Sequence, residues 1–403
     1  MNFIDFFCGA GGLSLGLQNA GLNCMCAIDG DPVAIETKRN NYISVTLKND
    51  NIFCCDLKIL HHKLLKKDVQ IDFQSDSVFS KKTKIKFDNK DLDQAFEILK
   101  NINKDEVDLV VGGPPCQGFS NASRGKKKEN IKATDFIDDE RNILYKYYLD
   151  FVEYINPKYV LIENVSGLLS SKNYASLISK TLETTGVGYE VNVVMLDSSD
   201  YGVAQSRKRV FFFGFRKDLS SSFKNSFYLN NTLLQLRSNR VFNVKDAIDD
   251  LPRIRSNPQK LNYSMEAEID FKSLNSFGME ESNIPYSDLI ELTDYNHLIN
   301  IFRGDYKRAS NLYNHKARFN NEDDLKIYKL LSAGKYLNHA DNKDALELCK
   351  YNTTFINDDG LEVNSFQDKY FKIDPNKPSR TIVAHLQMDT NGYVHYDNPP
   401  RGI

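Results

Sequence analysis

The sequence predicts an α/β fold, in which a parallel sheet is covered by helices on both faces, followed by a second, smaller domain. Up to about residue 215, short β-rich apolar runs alternate with segments whose apolar residues recur at helical spacing. This alternation is typical of parallel sheets. From about residue 219 the sequence becomes irregular and rich in Asn and Ser, which indicates a separate domain. We therefore expect domains at 1–218 and 219–403.

Six runs have the length and composition of core strands, namely 2–7, 23–28, 107–112, 159–163, 189–196 and 209–215. A helical pattern at 144–155 lies between two of them. Residues 58–105 contain many charged residues and no glycine. They have the character of an insertion between two core strands, and we assign them no function.

The composition limits the class of protein. The 403 residues include 41% hydrophobic residues, enough for a substantial core, and the formal charge of −2 requires any nucleic-acid surface to be a local basic patch. The seven cysteines form no CxxC pair, so we expect neither a metal site nor a disulfide scaffold. The sequence contains neither a long apolar run nor a cleavable leader, and we expect a cytoplasmic protein without membrane association.

A glycine-rich turn follows the first strand. The run FIDFF leads into CGAGGLSLG, where Gly9, Gly11 and Gly12 permit a sharp turn and a close approach of the backbone to a ligand. The spacing is GxGG rather than GxGxxG, and no GK[ST] follows. The pattern favours a pocket for a nucleoside that lacks phosphate.

Acidic residues stand at the ends of the next strands. Asp29 and Asp31 are placed to bind ribose hydroxyls, and Asp56 is placed to accept a hydrogen bond from an adenine amino group. The alternative is that these aspartates cap the helices that follow them. Cys24, Cys26, Cys54 and Cys55 have the character of small core residues.

A cysteine follows the third of the six strand runs on a loop stiffened by proline. DLVVGG leads into PPCQGFSNASRGKKK, so that Cys116 lies just beyond a strand end with basic residues nearby, a setting that favours the thiolate. The basic run 124–128 could contact phosphates. In isolation such a run is better explained as a solvated loop.

Four motifs resemble, in the same order, those of DNA (cytosine-5) methyltransferases of the bacterial restriction-modification type. They are DFFCGAGGLSLG, GGPPCQGFS, ENV at 163–165 and QSRKR at 205–209, and PSRTIVAH at 378–385 resembles a later family motif. The resemblance implies a Rossmann-like S-adenosylmethionine-dependent methyltransferase sheet and a target-recognition domain. It implies S-adenosyl-L-methionine as cofactor and duplex DNA as partner.

The resemblance also implies roles for individual residues. Cys116 would attack cytosine C6, Glu163 would bind N3 and the exocyclic amine, and Arg209 would donate to O2. Asn164 would position the loop that carries these groups. For Glu163 and Arg209 the alternative to a catalytic role is a structural ion pair between them. The expected cofactor residues are Phe7, Gly9, Gly11, Gly12, Asp29, Asp56 and Pro115, and the expected DNA contacts are Ser120, Ser123, Arg124, Gln205 and Arg207. Arg207 has an alternative role in ordering neighbouring backbone and carboxylates.

Two features depart from the family pattern. Gly30 stands where many members carry a large side chain that packs on adenine, and the chain ends at DNPPRGI, before the GNxV motif that completes the cofactor pocket. The second departure leads to the hypothesis that the protein is the larger part of a two-chain enzyme, or a truncated product, and that a second polypeptide supplies the missing part. A tRNA cytosine-5 methyltransferase and a catalytically inactive DNA-binding subunit are the alternative functions.

Overall fold

The computed structural model describes residues 1–44, 51–65, 89–115, 143–170, 174–219, 225–249, 320–349, 354–356, 362–364, 370–382 and 391–396. The chain forms two compact units. The first contains residues 1–197 and 208–237, and the second contains residues 198–207 and 238–403.

Seven strands in the described part of the first unit form one sheet in the order β3-β2-β1-β4-β5-β7-β6. They are β1 (Asn2–Phe6), β2 (Asn23–Asp29), β3 (Ile52–Cys54), β4 (Leu109–Gly112), β5 (Tyr159–Val165), β6 (Tyr189–Asp197) and β7 (Lys208–Arg216). The predicted α/β class is confirmed, and the six predicted strands are all present.

The sheet is mixed rather than purely parallel, because one strand runs opposite to its neighbours. β1 to β5 pair in parallel, whereas β7 is antiparallel to both β5 and β6. Only residues 198–207 join β6 to β7. A parallel neighbour requires a crossover of a dozen or more residues, so this short connection returns the chain in the antiparallel direction.

Eight α-helices belong to the described residues of the first unit. They are α1 (Gly12–Asn19), α2 (Pro32–Ser44), α3 (Leu57–Leu65), α4 (Asn89–Asn101), α5 (Ile143–Ile155), α6 (Gly167–Ser170), α7 (Tyr174–Thr184) and α8 (Ser226–Gln235).

The helices cover both faces of the sheet. Ile4 and Phe6 of β1 join an apolar cluster with residues of α3, α4, α5 and α7, whereas Phe3 joins a second cluster with residues of α1 and α2. This division follows from the alternation of side chains along a strand. Cys26 and Cys55 are fully buried, and burial raises the pKa of both thiols, so these cysteines act as core residues.

The second unit is described in part. It contains α9 (Val244–Ile248), α10 (Glu322–Leu330), α11 (Lys343–Leu348) and an antiparallel pair of strands, β8 (Thr354–Ile356) and β9 (Glu362–Asn364). Tyr328, Leu337 and Val394 belong to one of its apolar clusters. Within the described ranges of the whole chain, no helix has the length and apolar character needed to cross a membrane.

The centre of the sheet depends on Gly112, which pairs with Phe6 across β4 and β1. A Cβ atom at this position would lie 2.3 Å from the carbonyl oxygen of Phe6 and 2.8 Å from Cε2 of Tyr148. Both distances are shorter than real Cβ contacts, so the close approach requires glycine.

We predict that Gly112→Ala lowers the free energy of unfolding by about 1–3 kcal/mol, because the added methyl group overpacks the core. Gly16→Ala is the matched control, since a Cβ at this exposed position of α1 meets no atom within 4 Å. It should raise the free energy of unfolding by about 0.5–1 kcal/mol. Urea denaturation measures both, and equal effects of the two substitutions would contradict the close approach.

Candidate functional site

The glycine turn lies at the carboxyl end of β1. Phe7, Gly9 and Gly11 have φ angles of 59°, 52° and 88°. Such positive angles favour glycine, so Phe7 is held in a conformation that is strained for its residue type. The amide of Gly11 donates to the carbonyl of Cys8 at 2.9 Å, and α1 begins at Gly12.

Asp29 at the end of β2 attaches that strand to the turn. Its Oδ2 accepts a hydrogen bond from the amide of Gly9 at 2.8 Å, and its Oδ1 accepts one from the amide of Asp31 at 2.8 Å. Burial raises the pKa of the Asp29 carboxyl. A carboxylate is thus held in a defined position beside the turn, and each of its oxygens can accept a further hydrogen bond.

The two other strand-end aspartates cap helices. Oδ1 of Asp31 accepts hydrogen bonds from the amides of Val33 and Ala34 at 2.9 and 3.3 Å, at the start of α2. Oδ1 of Asp56 accepts a hydrogen bond from the amide of Lys58 at 2.8 Å, at the start of α3. Burial raises the pKa of the Asp56 carboxyl. Capping holds both side chains at the carboxyl edge of the sheet.

One side of the turn is open. A Cβ atom on Gly9 or Gly12 would meet nothing within 4 Å, and one on Gly30 would meet only the carbonyl oxygen of Cys55, at 3.7 Å. Backbone and carboxylates therefore border accessible space. This arrangement fits a nucleoside with hydroxyl and amino groups, which carboxylates bind, better than a phosphate, which they repel.

The segment that leads to Cys116 is attached to β5. Nδ2 of Asn164 donates to the carbonyl of Pro114 at 3.1 Å in a buried position, and Oδ1 of Asn164 accepts a hydrogen bond from the amide of Val165 at 2.8 Å. A Cβ atom on Gly113 would lie 3.3 Å from Oε2 of Glu163. The glycine therefore lets the chain pass close to this carboxylate. Cys116 itself lies outside the described residues, as do Ser120, Ser123 and Arg124.

Glu163 and Arg209 form an ion pair, with 2.8 Å between Nε of Arg209 and Oε1 of Glu163. The antiparallel register pairs Val165 with Arg209 and Glu163 with Phe211, so the two charged residues are diagonal neighbours on one face. The side chain of Arg209 remains 16% exposed and that of Glu163 26% exposed. A ligand can therefore reach the pair.

Gln205 and Arg207 belong to a segment of the second unit whose backbone is well held. Ser206 donates its amide to the carbonyl of Ser379 at 2.7 Å, and the hydroxyl of Thr381 donates to the carbonyl of Ser206 at 2.8 Å. The guanidinium of Arg380 lies 5.2–5.7 Å from the ring centroids of three aromatic residues, namely Tyr336, Phe371 and Tyr393. The motif around residue 380 thus supports the segment 205–207.

Sequence reasoning missed three buried polar residues beneath the glycine turn. Asp5, Ser14 and Lys38 are at most 1% exposed, and the Ser14 hydroxyl donates to Oδ2 of Asp5. The available signal was an aspartate in the otherwise apolar run FIDFF. The lysine gave no signal, since an isolated lysine on a helix is usually exposed.

The chain is similar to known DNA methylases over most of its length. The model of the family described as C-5 cytosine-specific DNA methylase matches residues 1–73 and 66–343. The type II methyltransferase M.AgeI of Thalassovita gelatinovora is 28% identical over 433 residues, which cover 98% of this chain and 87% of the relative. The type II methyltransferase M.DdeI of Desulfomicrobium norvegicum is 31% identical over 263 residues, or 64% of this chain and 49% of the relative.

A solved structure shares the fold. The crystal structure of a prophage-encoded protein from E. coli, assigned as a DNA modification methyltransferase, matches with a TM-score of 0.56 at 20% identity. The match covers 100% of this chain and 85% of that chain.

We predict that Asn164→Ala lowers the free energy of unfolding by about 1–3 kcal/mol, because the buried carbonyl of Pro114 loses its donor. Asn101→Ala is the matched control. Its Nδ2 donates to the carbonyl of Glu97 at 2.9 Å in an exposed position, where water can replace it, and the change should stay within about 0.5 kcal/mol. Chemical denaturation of both variants measures the free energy of unfolding. A smaller loss of this free energy for Asn164→Ala than for the control would contradict a stabilising hydrogen bond from Asn164 to Pro114.

Proposed function

This chain belongs to the family of C-5 cytosine-specific DNA methylases and is a DNA (cytosine-5)-methyltransferase, and we propose that Cys116 attacks the target base to form a covalent adduct. The observation that carries the proposal is the attachment of the Gly113–Pro115 segment beside the ion pair of Glu163 and Arg209. The residue that follows this segment is Cys116.

The chemistry requires a nucleophile because C5 of cytosine is unreactive until C6 has been attacked. The thiolate of Cys116 adds to C6, and the electrons move towards C5, O2 and N3. C5 then takes the methyl group that a bound sulfonium donor would supply, the donor keeping the electron pair of the broken bond as a neutral thioether. A base removes the C5 proton, and the thiolate leaves as the C5–C6 double bond forms again. No step in this sequence requires an external oxidant or reductant.

Glu163 and Arg209 act on the ring during thiolate addition. Once protonated, the carboxyl of Glu163 donates to N3 while its other oxygen accepts from the exocyclic amine, and Arg209 donates to O2, where negative charge accumulates. Because the ion pair holds both side chains before the base arrives, little rearrangement is needed in the transition state.

We propose S-adenosylmethionine as the cofactor, whose sulfonium supplies an electrophilic methyl group when it is bound. The open backbone of Gly9 and Gly12 would lie against it, with Phe7, Gly11 and Pro115 at the border of the pocket. Asp29 would accept from the ribose hydroxyls and Asp56 from the adenine amino group. The absence of a side chain at Gly30 leaves space for the adenine ring.

The substrate in this proposal is duplex DNA whose target cytosine is rotated out of the helix, at a cost of about a few kcal/mol. Gln205 and Arg207 are proposed to contact DNA from their supported segment, together with Ser120, Ser123 and Arg124. The second unit would read the recognition sequence.

The curated relatives of the chain are type II methyltransferases. We propose protection of host DNA in the cytoplasm as the biological role.

We predict that Cys116→Ser reduces transfer of labelled methyl from S-adenosylmethionine to duplex DNA by at least about 10³-fold, because the hydroxyl does not add to C6. Cys349→Ser is the control, since this partly buried cysteine belongs to the second unit. Equal transfer by both variants would exclude Cys116 as the nucleophile. Label in tRNA rather than in DNA would identify an RNA substrate instead.

We predict that Glu163→Gln lowers kcat by about 10²–10⁴-fold and leaves the dissociation constant of the cofactor unchanged, because Glu163 acts on the base. Glu190→Gln, at an exposed position of β6, should retain full activity. Rapid-quench kinetics measures kcat, and covalent trapping on DNA that contains 5-fluorocytosine reports the adduct directly. Normal trapping by Glu163→Gln at the wild-type rate would contradict this role.

A further inference from the structure

A cavity of about 280 Å³ lies within the second unit, beside the segment 205–207. Ser206 lines this cavity, together with three charged residues, Asp374, Lys377 and Arg380. Gln205 and Arg207, on either side of Ser206, are the two residues of this segment that we propose to contact DNA. A group bound in the cavity would therefore lie next to the path of the DNA.

Arg380 is held in this lining by three aromatic rings. Its guanidinium lies 5.2 Å from the ring centroid of Tyr393, 5.5 Å from that of Phe371 and 5.7 Å from that of Tyr336. We call these three residues the aromatic cage. Rings at such distances stabilise the positive charge, and because they come from three segments of the chain they also fix the position of the guanidinium.

The aromatic cage does not satisfy the hydrogen-bond donors of Arg380. Nη1 is buried and has no hydrogen-bond partner, and the guanidinium forms no ion pair, within the described ranges. Four other arginines in those ranges each pair with a carboxylate, namely Arg39, Arg209, Arg216 and Arg240. A ring face attracts positive charge, but an N–H group in the guanidinium plane needs an acceptor. Arg380 is therefore suited to an acceptor that comes from a ligand.

The charge of the lining favours an anion. Asp374 supplies the carboxylate of the cavity, and its Oδ1 accepts a hydrogen bond from the amide of Asn376 at 3.0 Å. Its Oδ2 lies 3.2 Å from Nζ of Lys377. The charges of Asp374 and Lys377 thus balance each other, and the lining keeps the positive charge of Arg380.

We propose that Arg380, held by the aromatic cage, binds a phosphodiester group of the DNA in this cavity. This inference rests on the proposed function, since it assumes that duplex DNA reaches the segment 205–207. A phosphodiester group presents two oxygens that share one negative charge, and a guanidinium donates to both in parallel. Because the aromatic cage holds the donors before the DNA arrives, little side-chain entropy is lost on binding. Such a contact fixes the position of the DNA and carries no sequence information.

The experiment measures the Kd of the full chain for two duplexes of unrelated sequence by fluorescence anisotropy over a series of KCl concentrations. Each phosphate contact adds about 0.9 to the slope of log Kd against log salt concentration. Arg380→Gln should lower this slope by about 0.9 and weaken binding to both duplexes about 10- to 100-fold. Arg240→Gln is the matched control, because its guanidinium also lies over a ring, that of Phe242, but pairs with Asp246. It should keep the slope of the wild type.

Asp374→Asn tests the same cavity by a gain of affinity, which a damaged fold does not produce. The substitution removes the negative charge of the lining and keeps an oxygen that accepts from the amide of Asn376, so binding to both duplexes should tighten at least about threefold. Glu347→Gln removes the same charge from an exposed position of α11. Because salt screens exposed charges, this control should leave the Kd nearly unchanged. If Arg380→Gln does not fold, Asp374→Asn decides alone.

Three outcomes would overturn the inference while the proposed substrate stands. They are an unchanged salt slope for folded Arg380→Gln, an unchanged Kd for Asp374→Asn, and a loss of affinity in Arg380→Gln that differs between the two duplexes, which would show that Arg380 contacts a base. If the wild type binds neither duplex, the proposed substrate is wrong as well.

Inorganic phosphate separates a phosphodiester of DNA from a free anion. Thermal unfolding of the wild type and of Arg380→Gln is compared in phosphate and in chloride at equal ionic strength. If phosphate raises the Tm of the wild type alone, and the salt slopes for DNA are equal, the cavity holds a free anion and the inference is wrong. A lower salt slope for Arg380→Gln identifies the DNA as the source of the phosphate group.

Discussion

The parallel pairing of β1 between β2 and β4 is the constraint on which the site depends. It brings the carboxyl ends of these strands to one edge, so that the glycine turn, Asp29 and the segment after β4 lie side by side. The close approach of β4 to β1 at Gly112 permits this arrangement. Ligand sites at the carboxyl edge of open α/β sheets have this physical origin.

The antiparallel strand β7 adds the second half of the site. Because β7 runs opposite to β5, its first residues reach the same edge as the last residues of β5. This direction places Arg209 beside Glu163, and a parallel strand would have put its start at the other edge. The short connection between β6 and β7 thus has a consequence for the chemistry as well as for the topology.

The edge combines strain, buried charge and tight packing. Phe7 has a positive φ angle, Lys38 is buried, and Gly113 has no room for a larger residue unless Glu163 moves. Each of these features costs stability, and hydrogen bonds from Gly9 to Asp29 and from Asn164 to the carbonyl of Pro114 hold the backbone around them. Concentration of such costs around one pocket is typical of sites that have a function.

Local patterns in the sequence determined the strands, the glycine turn and the order of the motifs, because strand periodicity and glycine requirements act over a few residues. They offered helix capping as one of two alternatives for Asp31, and the structure shows the capping contacts of Asp31 and Asp56. Only the tertiary structure decided the direction of β7, the ion pair of Glu163 with Arg209 and the burial of Lys38. The reason is physical: these features depend on contacts between residues far apart in the chain, whose geometry no local pattern specifies.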